Sequence, residues 1–216
     1  MPMRKFSAQK AEPVFNPVLP SNLIGQLFEL AKPEHRLLVV DMGYPSPATV
    51  QFFNQYRCRL EFLDLINTDF LSLCPVDAEQ SVLVEYFQAG LNLQPGAVID
   101  ICLFWDIFNY LDHLSVQAFM QALRPYINSS SQGYSLGVLS GRNRLPFCRY
   151  GIDSQASLSQ AQLSGQQPEV YNHSQRDLNS LLSYFEVDKS RLMPDGRVEY
   201  LLRDNLLPRP VKPAIF

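Results

Sequence analysis

The chain has 216 residues, of which 46% are apolar, 12% aromatic and 18% charged, and its formal charge is −3. That length supports one domain with a substantial core, and the slight acidic balance leaves neither a basic footprint for nucleic acid nor an acidic tail. Four cysteines (Cys58, Cys74, Cys102, Cys148) and three histidines (His35, His113, His173) are scattered without a CxxC pair, which excludes a clustered metal site and points to reduced thiols, Cys58 and Cys102 lying inside apolar runs.

The start, MPMRKFSAQKAEPVF, carries charge but no apolar core, so it does not read as a secretory signal. No apolar run reaches the roughly twenty residues of a membrane span. The expectation is a cytoplasmic protein without a membrane partner. Residues 1–20 read as an irregular N-terminal arm. From Ser21, Leu23, Ile24, Leu27, Phe28 and Ala31 recur at helical spacing, with Ser21 or Asn22 as N-cap and Pro33 as stop.

The stretch LLVVDMGYPSPATVQFF, Leu37 to Phe53, follows. Its apolar run predicts a strand buried on both faces. Ser46 before Pro47 then marks a helix start, N-cap followed by first-turn proline, for a helix reaching about Tyr56. A second strand is predicted over Cys58–Leu65 and a helix over Val82–Leu91. From Ala97, AVIDICLFWDIF is the strongest strand signal, and the next segment carries Val116, Phe119, Met120 and Leu123 on one helical face.

YSLGVLS, from Tyr134, predicts another buried strand. Residues 141–172, rich in Ser, Gln, Gly and Arg and poor in periodicity, read as a long loop or a partly helical insertion, expected as a mobile lid over the strand ends. A helix with Leu178, Leu181, Leu182 and Phe185 facing inward precedes two strands joined at Pro194–Gly196, a hairpin signal. Residues 205–216 form a non-helical tail. Alternation of this kind predicts a Rossmann-like α/β domain over 21–204: a mostly parallel, doubly wound sheet with an antiparallel last strand and helices on both faces. Ligands of such sheets bind at the carboxyl ends of the strands, where the 37–53 stretch makes its turn.

The order of elements, closed by a hairpin, resembles the class I S-adenosylmethionine-dependent methyltransferases over roughly residues 21–204. VVDMG is similar to that family's first motif, in which an acid precedes a glycine turn. Asp64 ends the second strand 21 residues after Gly43, where the resemblance implies an acid on the ribose hydroxyls. The segment from Val98 to Pro125 resembles the family's fourth strand and following helix, and VEYLLR its antiparallel last strand. Two departures fall on the cofactor side. Pro45 and Pro47 stand where further glycines would admit the ligand, and each withholds an N–H donor. Only 32 residues separate Asp64 from Ala97, short for a helix and a third strand.

The resemblance implies S-adenosylmethionine as cofactor, with Asp41, Gly43, Tyr44, Ser46, Asp64, Trp105 and Asp106 as candidate binding residues. Phe104, Asn109, Tyr110 and His113 follow the same strand end, and His113 is a candidate base. Arg142, Arg144 and Tyr150 lie on the expected lid, while Glu61 reads as a pairing partner within its strand. Methyl transfer needs alignment more than a fixed catalytic group, so no catalytic residue and no acceptor, small molecule or protein, is legible. Three functions stay open: a methyltransferase with a divergent loop, a catalytically silent methyltransferase-like scaffold or partner-binding protein, and a Rossmann oxidoreductase. The last is opposed by the missing G-x-G-x-x-G fingerprint and by the terminal hairpin.

Overall fold

The computed structural model describes residues 18–29, 35–75, 77–138, 145–163 and 167–205. The two strongest apolar runs form its centre. Leu37–Asp41 (β2) and Ile101–Trp105 (β4) lie side by side as parallel strands, Val39 opposite Ile101. Every residue of β4 is buried, as a strand covered on both faces requires. Cys58–Phe62 (β3) pairs parallel on the other side of β2, and Gln132–Val138 (β5) pairs parallel with β4. Arg197–Asp204 (β9) runs antiparallel to β5, and Phe185–Leu192 (β8) antiparallel to β9. The sheet order is β3-β2-β4-β5-β9-β8. This is the doubly wound, mostly parallel sheet that the alternation predicts, with β9 the one reversed strand.

Three of the five described α-helices start at a side-chain cap. Pro47–Phe53 (α1) follows Ser46, whose backbone is extended as an N-cap requires but whose side chain makes no capping bond. Asn67 opens Thr68–Leu73 (α2), its Oδ1 accepting from the Phe70 N–H at 2.7 Å. Gln80–Leu91 (α3) ends at Asn92, whose φ of 39° is the left-handed stop that Asn tolerates. Asp112 caps His113–Leu123 (α4) through the Ser115 N–H. Ser174 and Asp177 form a reciprocal capping box on Gln175–Leu181 (α5). Helices α3 and α4 meet through Phe87 and Phe119, ring centroids 5.4 Å apart. Between β3 and β4 the described residues hold two helices and no strand, so the short interval after Asp64 leaves β3 at the sheet edge.

Two segments differ from their sequence reading. The spacing of Leu23–Ala31 predicts a full helix; the described part is a short 3-10 turn, Ile24–Phe28, and residues 30–34 lie outside the described residues. The segment leading into this turn is tied to β9. Buried Glu199 on β9 accepts from the N–H groups of Asn22 (2.8 Å) and Leu23 (3.3 Å), the Ser21 hydroxyl (2.6 Å) and the Tyr134 hydroxyl (2.9 Å). The 141–172 stretch holds a hairpin, Cys148–Ser154 (β6) and Ser157–Gln162 (β7). Val18–Pro20 (β1), at the end of the expected N-terminal arm, adds to β7 and completes a three-stranded sheet, β1-β7-β6. Among the described residues no helix is long and apolar enough to cross a membrane.

Candidate functional site

At the carboxyl end of β2 the chain turns sharply around Asp41. The Asp41 side chain is fully buried, and its Oδ1 accepts from the Gly43 N–H at 2.8 Å. The turn is stitched to the next strand by the N–H of Leu65 to the Met42 carbonyl (2.8 Å) and that of Asp64 to the Gly43 carbonyl (3.2 Å). Up to here the geometry is that of an acid-and-glycine turn open to a ligand.

The end of β4 closes it. The β4–β5 register slips between Leu103 and Trp105, and Trp105 adopts a φ of 50°. A non-glycine residue holds that conformation only where its surroundings compensate the strain. Here the Ser135 hydroxyl donates to the Trp105 carbonyl at 2.8 Å, and the indole N–H donates to Asp41 Oδ1 at 2.6 Å. The bulge thus swings the indole across the end of β2. A Cβ built on Gly43 would lie 3.1 Å from Trp105 Cδ1 and 3.3 Å from Nε1. The side of Gly43 on which a Cβ would project is covered by tryptophan.

The hairpin seals the tryptophan in turn. Tyr150 of β6 stacks on Trp105 with ring centroids 5.5 Å apart and planes 21° from parallel. Its hydroxyl donates to Asp106 Oδ2 at 2.9 Å and accepts from Arg197 Nη1 at 2.9 Å. Tyr110 donates to the same Asp106 oxygen at 3.1 Å. Arg197 is itself buried, donating through Nε to Asp195 (2.7 Å) and through Nη2 to Gln160 on β7 (2.8 Å). Farther along β6, the Ile152 N–H donates to the Thr49 hydroxyl of α1 at 3.1 Å, and Gly151 sits against Ser46. The hairpin is therefore bolted to both β9 and α1.

Asp41 and Asp106 each keep one buried oxygen without a hydrogen-bond partner, Oδ2 and Oδ1 respectively. Burial pushes the carboxyl pKa of both up to about 7, against the smaller opposing effect of the hydrogen bonds they accept. A protonated carboxyl is the form that a closed, weakly polar site favours.

Asp41, Gly43, Trp105 and Asp106 are thus brought into one buried cluster with Tyr150. Tyr44 and Asp64 lie outside it, on the rim. Arg149 of β6 stacks its guanidinium on the Tyr44 ring at 3.9 Å, and its charge acts on the half-buried Asp64. Burial raises the Asp64 pKa; the Arg149 charge and the Asn67 side chain act against that rise. The acid expected to take ribose hydroxyls therefore faces a cation of the protein. Glu61 pairs with Arg59 along β3. Asn109 is buried and donates to the Tyr171 carbonyl at 3.0 Å. His113 stands away from the cluster, its ring 5.2 Å from that of buried His173; Arg142 and Arg144 lie outside the described residues. Among the described residues no group of His, Cys, Asp and Glu could hold a metal ion.

Sequence reasoning missed Arg197, Glu199 and the hairpin's part in the site. One signal was available. Cys148, Tyr150 and Ile152 alternate in sequence with Arg149, Gly151 and Asp153, the period of a half-buried strand.

The reversed β9 between β5 and β8 closes a Rossmann-like, mostly parallel sheet. No protein-family model and no curated protein matches the chain. Among solved structures it is similar to the pyocyanin biosynthetic protein PhzM (13% identity, TM-score 0.45, covering 84% of this chain and 54% of that one). It is also similar to the Burkholderia thailandensis 1,6-didemethyltoxoflavin N1-methyltransferase with S-adenosylhomocysteine bound (13%, 0.44, 79% and 72%). A third is the glycopeptide N-methyltransferase MtfA (10%, 0.43, 85% and 90%). The chain thus spans about half the length of PhzM. In this structure the indole packs on Gly43 and takes up Asp41 Oδ1, so the turn is covered by the protein's own side chain.

Proposed function

We propose that this chain is a methyltransferase-like protein whose cofactor turn is closed by its own side chains, a catalytically silent module that works by binding a partner. The observation that carries this reading is the Trp105 indole lying on Gly43, with its N–H bonded to Asp41. The donor and acceptor that would greet a ligand are spent on each other. Pro45 and Pro47 are exposed on the turn and offer no N–H groups in their place. To admit S-adenosylmethionine the protein must break a hydrogen bond to a carboxyl, about 1 to 3 kcal/mol, and an aromatic stack, about 0.5 to 1.5 kcal/mol. Their sum lowers apparent affinity by roughly ten- to a thousandfold before any loss of burial is counted.

A second reading is favoured by a different observation. Asp41 with Gly43 and Asp64 keep their places at two consecutive strand ends, and Asp64 remains hydrogen bonded to the turn through its N–H. On that reading the chain is an S-adenosylmethionine-dependent methyltransferase acting on a small-molecule or protein acceptor, and Trp105 and the hairpin withdraw to admit the cofactor. Calorimetry separates the two. Titrating S-adenosylmethionine and S-adenosylhomocysteine to millimolar concentration into the full chain gives at most weak binding, near-millimolar or absent, if the turn is closed. Micromolar binding by the unmodified protein overturns the silent reading and establishes the gated one.

A further inference from the structure

An open cavity near the carboxyl end of the sheet lies apart from the glycine turn. It measures about 330 Å³ and is framed by α2, the start of α4 and residues 167–171. That volume is at the small end of ligand sites. Leu71, Pro75, Leu111 and Pro168 give it apolar walls, and the rings of Tyr110 and Tyr171 line it. Two carboxylates, Asp112 and Glu169, stand in the same lining, which contains no Lys, Arg or His. Asp112 Oδ1 accepts from the first turn of α4 at 2.7 Å, which holds that carboxylate in place.

Tyr171 stands beside both carboxylates. Burial raises the pKa of the Tyr171 phenol, and its hydrogen bond to Glu169 and the charges of Glu169 and Asp112 raise it further. An anionic ligand would meet two like charges there with no counterion. A neutral ligand would gain only the walls. A cation with an apolar body uses every feature at once: carboxylates for its charge, phenol rings for cation–π contact, and leucine and proline for its hydrocarbon part.

We propose that this cavity binds a small organic ammonium ion, an amine whose apolar part fills the walls and whose charged nitrogen is held between Asp112 and Glu169. Tyr110 connects the cavity to the buried cluster, since its hydroxyl reaches Asp106. The site is nonetheless independent of the glycine turn, and its failure would leave the closed-turn reading standing.

The test is calorimetry on the full chain with three probes of one shape: benzylammonium, benzyl alcohol and benzoate. Benzylammonium is expected to bind at least about fivefold more tightly than benzyl alcohol, the size of a partly exposed charge pair, and benzoate more weakly than either. Glu169 is exposed, so Glu169→Gln and Glu169→Lys leave the melting temperature unchanged. The first shrinks the preference for the cation and the second abolishes it. Absence of benzylammonium binding, equal affinity for the three probes, or a preference that survives Glu169→Lys each overturns the assignment.

Discussion

Raising the pH from 5 to 7 is expected to destabilise this protein, and the closed turn is the reason. Asp41 and Asp106 are fully buried, each with one orphaned oxygen, and their carboxyl pKa values are raised by burial from 3.8 to about 7. In the unfolded chain both ionise near pH 4. A carboxyl whose folded pKa is raised stabilises the fold fully below its unfolded pKa. That contribution is lost progressively between about pH 4 and 7 and is gone above. A tenfold difference in proton affinity between the folded and unfolded chains corresponds to about 1.4 kcal/mol, so each carboxyl forfeits up to about 4 kcal/mol across the window. Two such groups give a slope of up to about 2.7 kcal/mol for each tenfold fall in proton concentration. Urea denaturation at pH 5, 6, 7 and 8 measures it directly. Asp41→Asn and Asp106→Asn, which mimic the neutral acid, should each halve the slope, and the double variant should abolish it and be more stable than the parent at pH 8. A stability that is flat or rising from pH 5 to 7, or a slope unchanged in the double variant, would refute the picture of two carboxyls sealed under the hairpin.

Trp105 is the single tryptophan of the chain, so its fluorescence reports the turn. The emission should be blue-shifted and protected from acrylamide, and ready quenching would show an open turn. Trp105→Ala should cost about 3 to 5 kcal/mol in urea denaturation, and a loss below about 1 kcal/mol would mean that the indole is not packed as described. Gly151→Ala should destabilise by about 1 to 3 kcal/mol, because the new Cβ falls 2.2 Å from Ser46 Oγ and 2.8 Å from Ser159 Oγ. Pairing it with Ser46→Gly should recover part of the loss in a double-mutant cycle. Glu199→Gln should cost about 1 to 3 kcal/mol, since one of the two oxygens that accept from the Asn22 and Leu23 N–H groups becomes an NH2 group, and an unchanged denaturation midpoint would refute that set of partners.

The sheet was readable because its information is local. Leu37–Asp41 and Ile101–Trp105 are apolar runs bounded by turns, and the hairpin at Pro194–Gly196 carries its own turn chemistry. Asp41 and Gly43 were found for the same reason, as neighbours in sequence. What closes the turn is not local. Trp105 reaches Asp41 across 64 residues of sequence, and it does so through a bulge and a positive φ that no residue type announces. Tyr150 and Arg197 join from two further elements, one of them in a stretch whose polar face hid its alternating buried positions. The apolar period of Leu23–Ala31 is genuine, while the carboxylate that ties the entry of this segment to the sheet sits 176 residues away on β9.

The prolines of the turn then have a physical explanation. In a turn that binds a ligand, Pro45 and Pro47 withhold donors that the ligand needs. In this chain the turn's donors are already engaged: the Gly43 N–H has Asp41 Oδ1, the indole N–H has the same oxygen, and the indole ring has Tyr150. Pro45 and Pro47 face outward, where an absent N–H costs nothing. Gly43 is retained for the opposite reason. A Cβ there would press within 3.1 Å of both Asp41 Oδ1 and Trp105 Cδ1, tighter than packed side chains accept. The glycine that would admit a cofactor in an open turn admits the tryptophan in this one. Its presence in the sequence is therefore evidence of close approach to the backbone, and the identity of what approaches is decided by the strand next door.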